Sequence, residues 1–283
     1  MSSVILSKEI GKLKLSQIQQ TQLLRRFMLM KIVGKPDEFR QQMVDVYDDY
    51  AGYRQQDCNE CFMRVLEVWE KEMRVTSRAI PPNPAMVASI PPGDLLKHFS
   101  LFSWRMHTLT MPSLCKIFYG QIRSLITCRS CKQEKNSFIP FSSLSLLGQT
   151  DVIVGLEAYQ STEYLDGYDC EVCQRKTRIR KKHMLWKLPK VLVLQCPMKD
   201  LTFLHENISV NDQLKKKNYT LRSVGCHSGQ DINSGHYYAY TKYRQRDNHN
   251  IWFSVSDESV KSSHFQKLLG RCGDVYMLCY ERV

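Results

Sequence analysis

The sequence predicts an α+β protein with a helical N-terminal region and a mostly β remainder. Apolar residues recur at three- and four-residue spacing up to Trp69, whereas short alternating or continuous apolar runs dominate from Ile179 onward. Two Cys-x-x-Cys pairs lie between these regions. With 283 residues, of which 43% are hydrophobic and 24% charged, the composition is that of a folded globular protein.

Three helices are predicted in the N-terminal region. The first runs from Ser16 to Ile32 and is stopped by a Gly-Lys-Pro sequence, and the second spans residues 37–49. The third begins at Asp57, with Glu60 three positions later as in a capping box. Each of these helices is expected to bury one apolar stripe.

Cys58 lies in the first turn of the third predicted helix. A cysteine there can be a reactive thiolate, because the positive end of the helix dipole stabilises its anion. Alternatively, Cys58 takes the place of a small packed residue. The second interpretation is favoured.

The remaining elements alternate between loops and strands. The run 191–194 is continuous and apolar, which predicts a central strand buried on both faces. Because proline has no N–H to donate, Pro197 must end the hydrogen bonding of this strand or lie at a sheet edge. Other predicted elements are a Pro-rich loop at 81–93, a strand at 138–147, a short helix at 151–159 and a strand at 219–224, followed by a loop with Cys226 and His227.

The net charge of +12 is compatible with a nucleic-acid partner, an acidic protein partner or a solvated basic face. Because basic and aromatic residues do not interleave along the sequence as in a single-strand binder, nucleic acid is the less favoured partner. The sequence has no run of eighteen apolar residues and no signal peptide at its start. A soluble, intracellular protein, cytoplasmic or nuclear, with no membrane partner, is therefore expected.

The two Cys-x-x-Cys pairs predict a structural zinc site. Cys128 with Cys131, and Cys170 with Cys173, each place two thiolates on one tight turn, and four sulfurs satisfy tetrahedral zinc. The total of eleven cysteines is odd, and in a reducing compartment this spacing favours metal over disulfides. The alternative is four unrelated buried thiols.

A candidate general base lies in the stretch Ser234-Gly-His-Tyr-Tyr-Ala-Tyr240. His236 stands between a glycine and an aromatic strand, and histidine is the most common general base in enzymes. Asp257, on the next predicted strand, is placed to fix its tautomer as the third member of a triad does. Trp252 is expected to pack behind His236. The alternative is a histidine that is simply packed in a strand.

Four stretches, in this order, resemble the ubiquitin-specific proteases: 53–62, the two Cys-x-x-Cys pairs, 188–194, and Gly235-His-Tyr-x-x-Tyr240 with Trp252 and 275–280. The resemblance implies the papain-like cysteine-protease fold of that family in a single domain, 1–283. It further implies a helical thumb over about 1–110 and a β palm over about 111–283. Zinc-bearing β fingers would be inserted at about 121–195.

The same resemblance implies thiol-dependent hydrolysis of isopeptide bonds to ubiquitin or a ubiquitin-like protein, with His236 as the base. The family's orienting acid falls on Ser256, and Asp257 fills the following acidic position. The family's cysteine box is missing, since no cysteine precedes Cys58. We therefore expect either an N-terminally incomplete enzyme or a pseudo-protease that binds ubiquitin without cutting it, and Ser256 favours the second. A basic zinc protein that binds nucleic acid is a third possibility.

Overall fold

The computed structural model describes residues 37–52, 56–72, 90–111, 116–146, 148–196, 201–213, 215–231, 234–244, 250–257 and 259–283. The predicted helix at 16–32 and Pro197 lie outside these residues. The helices are α1 Asp37–Val46, α2 Cys58–Glu72, α3 Leu95–Thr108, α4 Val152–Tyr159 and α5 Phe265–Leu269. The predicted α+β class is confirmed, although α1 ends earlier than expected and is followed by a 3-10 turn at Asp48–Tyr50.

Four antiparallel strands form the smaller sheet: β1 Gly120–Cys128, β2 Glu134–Phe141, β4 Thr162–Cys170 and β5 Arg175–Lys187, in the spatial order β2-β1-β5-β4. The larger sheet contains β3 Leu144–Ser145, β6 Val191–Gln195, β7 Asn207–Asn211, β8 Lys216–Asp231, β9 Ser234–Arg244, β10 Asn250–Ser256, β11 Ser259–Ser263 and β12 Val275–Arg282. Its order is β11-β10-β9-β8-β12-β6-β3, with β7 paired to β8. The predicted loop at Cys226 and His227 is wrong, because both residues lie within β8.

The larger sheet is covered on both faces, and β6 shows this directly. Val191 and Val193 belong to the apolar cluster that contains the buried face of α2, whereas Leu192 and Leu194 belong to the cluster on the other face. All four side chains are buried, as predicted for a central strand. The sheet therefore links the helical part of the protein to the β part through one strand.

Helix α2 begins where the sequence predicts. Asp57 Oδ1 accepts a hydrogen bond of 2.7 Å from the backbone N–H of Glu60, which satisfies one of the free donors of the first turn. Its buried side chains are Phe62, Val65, Leu66, Val68 and Trp69. This face packs on the larger sheet and fixes the helix beside β6 and β12.

Helix α4 is capped by Asp151, which also contacts His205 at 2.7 Å. Burial alone would raise the pKa of Asp151, but hydrogen bonds from His205 and from the N–H groups of Val154 and Ile153 outweigh it and hold the pKa below its usual value. A lowered pKa stabilises the fold above the unfolded value of about 3.9, and this contribution is lost as the pH falls through the folded value.

We therefore expect Asp151→Ala to lower the free energy of unfolding by about 1 kcal/mol at pH 7, and by less at pH 3. Urea denaturation of both proteins at the two pH values measures this difference. A deficit of the same size at pH 3 and pH 7 would show that the carboxylate charge has no part in it.

Candidate functional site

His236 is positioned by the hairpin of β8 and β9, in which it lies opposite Ser228. The preceding Gly235 has a φ of +153°, and a Cβ at that position would stand 2.7 Å from Nε2 of His227. Only glycine fits such a close approach without displacing its neighbours. Gly235 thus allows the hairpin to close tightly just before the histidine.

The structure brings His236, Ser256 and Asp257 together. His236 Nε2 lies 2.7 Å from Ser256 Oγ and 3.8 Å from Asp257 Oδ2. Val255 pairs with Ala239, so the end of β10 meets the start of β9. Ser256, rather than the acid, therefore makes the hydrogen bond that orients the imidazole, and the Asp257 side chain, 80% exposed, is largely screened by solvent.

Asp257 occupies the turn between β10 and β11 in a left-handed conformation, with a φ of +48°. Aspartate tolerates this region better than most residues. Its carboxylate lies 3.8 Å from His236 Nε2, which is outside hydrogen-bond distance.

His227 is a buried residue of this site that the sequence analysis missed. Its side chain is 3% exposed, neither ring nitrogen has a hydrogen-bond partner, and its ring centroid lies 4.5 Å from that of Tyr237. The sequence feature that could have identified it is its position shortly before the Gly-rich turn that leads to His236. His227 fills the space beneath the turn and thereby supports it.

The four cysteines of the two Cys-x-x-Cys pairs form a single cluster. Their sulfurs all lie within 4.8 Å of one another, with Cys128–Cys173 at 3.8 Å and Cys131–Cys170 at 3.7 Å. Four sulfurs at about 2.3 Å from a tetrahedral zinc are separated by about 3.8 Å. The cluster therefore fits zinc without rearrangement.

The local backbone explains why these sulfurs converge. Each pair is followed directly by a residue with positive φ, Lys132 at 63° and Gln174 at 52°. In each turn that residue's N–H donates to the carbonyl of the first cysteine, at 3.0 Å and 2.9 Å respectively. The two turns are thus near copies, and β1, β4 and β5 bring them face to face. Thr177, 3.4 Å from the Cys128 sulfur, supports the site from β5.

A family model described as ubiquitin carboxyl-terminal hydrolase matches residues 14–280. The chain belongs to the ubiquitin carboxyl-terminal hydrolase family. It is 29% identical over 283 residues to ubiquitin carboxyl-terminal hydrolase 2 of Gallus gallus, covering 87% of this chain and 73% of that protein. It is 27% identical over 278 residues to the Rattus norvegicus protein of the same name, covering 88% of this chain and 43% of that protein.

Solved structures of this hydrolase family share the fold. The SAGA Ubp8/Sgf11/Sus1/Sgf73 DUB module bound to ubiquitin aldehyde contains a chain that matches with a TM-score of 0.64 at 20% identity. The match covers 87% of this chain and 53% of that chain. This likeness confirms the papain-like fold predicted from the resemblance.

In this hydrolase fold Cys58 packs against β8 of the larger sheet. Its sulfur packs over Gly225 on β8, within the cluster that also contains Tyr237 and Met277. Successive residues of a strand point to opposite faces, so His236 faces away from that cluster. Burial raises the pKa of Cys58 to about 12, which makes it a packed thiol rather than a thiolate, in line with the favoured prediction.

A polar network joins the start of α2 to the larger sheet. Tyr276 donates to Asp57, Gln195 Nε2 donates to the Tyr276 hydroxyl at 2.7 Å, and Asn59 lies 3.4 Å from Gln195. Gln195 is the last residue of β6. The network holds the N-terminus of α2 against β6 and β12.

The expectation that Trp252 packs behind His236 is wrong. Trp252 is buried, but it pairs with Lys242, six residues along β9 from His236, and packs against Phe265 of α5 at 5.9 Å. Six strand residues span about 20 Å. Trp252 therefore stabilises the far end of the β9–β10 hairpin.

Proposed function

We propose that this chain is a ubiquitin-binding protein of the hydrolase family and that it does not hydrolyse ubiquitin conjugates on its own. It carries the general base of the site, His236, and the residue that orients it, Ser256. The observation that carries this proposal is the hydrogen bond between His236 and Ser256. Among the described residues, no cysteine is a hydrogen-bond partner of His236.

In this proposal His236 is the general base. When Nε2–H donates to Ser256 Oγ, the lone pair of Nδ1 is free to accept a proton from a thiol. Ser256 fixes the ring orientation but, being neutral, it gives the imidazolium less stabilisation than a carboxylate would. Asp257 supplies a weaker, longer-range contribution at 3.8 Å.

The described cysteines supply no thiolate beside this base. Four form the metal cluster, and the other six are Cys58, Cys61, Cys196, Cys226, Cys272 and Cys279. Burial is the largest cause of a raised thiol pKa in all six. A buried neutral thiol is a poor nucleophile, so none of them completes the site.

Ubiquitin is the proposed partner because the relatives are named ubiquitin hydrolases and the solved neighbour holds ubiquitin aldehyde. We assign the thumb to about 1–110 and the palm to about 111–283, with fingers at about 121–195. The free cysteines support a reducing compartment, cytoplasmic or nuclear. Within the described part of the chain, no helix is long and apolar enough to cross a membrane.

The purified chain is expected to bind ubiquitin but to leave a fluorogenic ubiquitin C-terminal amide uncleaved above the background rate. A base without a thiol within about 3 Å has no proton to accept. Calorimetric titration with ubiquitin measures binding, and a fluorescence assay measures hydrolysis. Absence of binding in a folded, zinc-loaded sample would exclude the scaffold role.

Ubiquitin with a thiol-reactive C-terminal group, followed by intact mass, tests the competing interpretation. We expect no adduct in wild type or in the Cys58→Ala variant. An adduct that disappears in Cys58→Ala and in His236→Ala would identify Cys58 as the nucleophile and overturn the proposal.

A further inference from the structure

One face of the four-stranded sheet combines cations with aromatic rings. Arg180 lies opposite Tyr164 of β4 and Thr127 of β1, and directly opposed residues share a face. By alternation along β5, this face also carries Arg178, Lys182 and Trp186. We call it the basic face, and it comprises Arg123, Arg129, Phe138, Tyr164, Arg178, Arg180, Lys182 and Trp186.

Tyr164 is the most exposed ring of the basic face, with 53% of its surface accessible. The guanidinium carbons of Arg129 and Arg178 lie 5.5 Å and 5.6 Å from its centroid. Both cations are thereby held over the exposed ring by cation–π contacts. Such an arrangement places planar cations over an exposed ring, and a base can stack on the ring or on the guanidinium planes.

A second aromatic group lies about 20 Å away along β5, since six residues separate Arg180 from Trp186. Trp186 packs edge-on against Phe138 at 5.1 Å, and the guanidinium of Arg123 lies 5.5 Å from its ring. The exposed cation Arg180 stands beside Tyr164, and the exposed Lys182 follows it on the way to Trp186. Alternate strand residues repeat every 6.7 Å or so, a spacing comparable to that of neighbouring phosphates in an extended strand.

Acidic groups only partly offset this charge. Asp166 lies 3.5 Å from Arg178, and Glu134 acts on Arg123. We propose that the basic face binds single-stranded nucleic acid, with bases stacked on Tyr164 and Trp186 and phosphates against Arg180 and Lys182. The exposed ring of Tyr164 favours this occupant over an acidic peptide, which has no planar bases to stack. Basic and aromatic residues do not interleave along the sequence, but strand pairing places them next to each other on this face.

Fluorescence anisotropy of a labelled oligouridylate of about 15 nucleotides tests the proposal. We expect binding whose logarithmic affinity falls linearly with the logarithm of salt concentration. Tyr164→Ala should weaken it about tenfold through lost stacking. Arg180→Glu with Lys182→Glu should weaken it more than tenfold. The matched control Lys215→Glu with Lys216→Glu makes the same charge change elsewhere and should alter affinity less than threefold.

Each opposite result overturns the assignment. Equal losses in the two charge-reversed doubles would indicate attraction to net charge alone. Unchanged affinity in Tyr164→Ala would remove the stacking role, and displacement of the oligonucleotide by polyglutamate at equal charge concentration would indicate a surface for acidic proteins. Zinc content and circular dichroism establish that each variant is folded.

Discussion

Loss of zinc is expected to unfold the outer half of the four-stranded sheet while the larger sheet remains folded. β4 is solvent-exposed along most of its length and its buried residue is Cys170, so little apolar burial holds this region. Structural zinc contributes about 10–16 kcal/mol of apparent binding free energy, which is coupled to folding. Purified protein should contain one zinc per chain, and Cys170→Ser should lose it and become sensitive to proteolysis between residues 128 and 175.

Elemental analysis and mass-spectrometric mapping of the proteolytic fragments measure both effects. Cys58→Ala is the control, because it removes a thiol outside the cluster and should retain the zinc. A Cys170→Ser protein that still binds one zinc, or resists proteolysis as wild type does, would exclude the four-cysteine site.

Trp252→Ala is expected to lower the free energy of unfolding by about 3–5 kcal/mol. Trp252 is 5% exposed and packs on Phe265, with the buried Lys242 ammonium 5.8 Å from its ring. Removing it leaves a large cavity between β10 and α5 that the surrounding backbone fills only in part. Urea denaturation measures the change.

Tyr243→Ala is a matched control on the same hairpin, since Tyr243 is 49% exposed. Its substitution should cost less than about 1 kcal/mol. If the two variants unfold at the same urea concentration, Trp252 does not hold this end of the hairpin.

Features that depend on local spacing were predictable from the sequence. The cap at Asp57 and the strand at 191–194 follow from short patterns. The two Cys-x-x-Cys pairs predicted a cluster because each turn fixes two sulfurs whatever the surrounding fold. The start of α2 was predicted correctly because a capping pattern marks it, whereas the early end of α1 at Val46 was not predicted.

Features that depend on strand register were not predictable. Trp252 and His236 are near each other in sequence and both lie on the β9–β10 hairpin, yet pairing places them far apart. His227 appeared to lie in a loop because β8 continues well past the apolar run at 219–224. The basic face is also a product of register, since a one-residue slip would move its side chains to the opposite face.

The position of β12 has a consequence for synthesis. Residues 275–282 form a strand that pairs with β6 on one side and β8 on the other, at the centre of the larger sheet. The two flanking strands emerge from the ribosome long before it, and in the folded sheet they have no hydrogen bonds to each other, since β12 lies between them. The palm therefore remains open, with both apolar faces exposed, until residue 282 has left the exit tunnel. Chaperone dependence should accordingly be greatest in the interval before β12 has been synthesised and has paired.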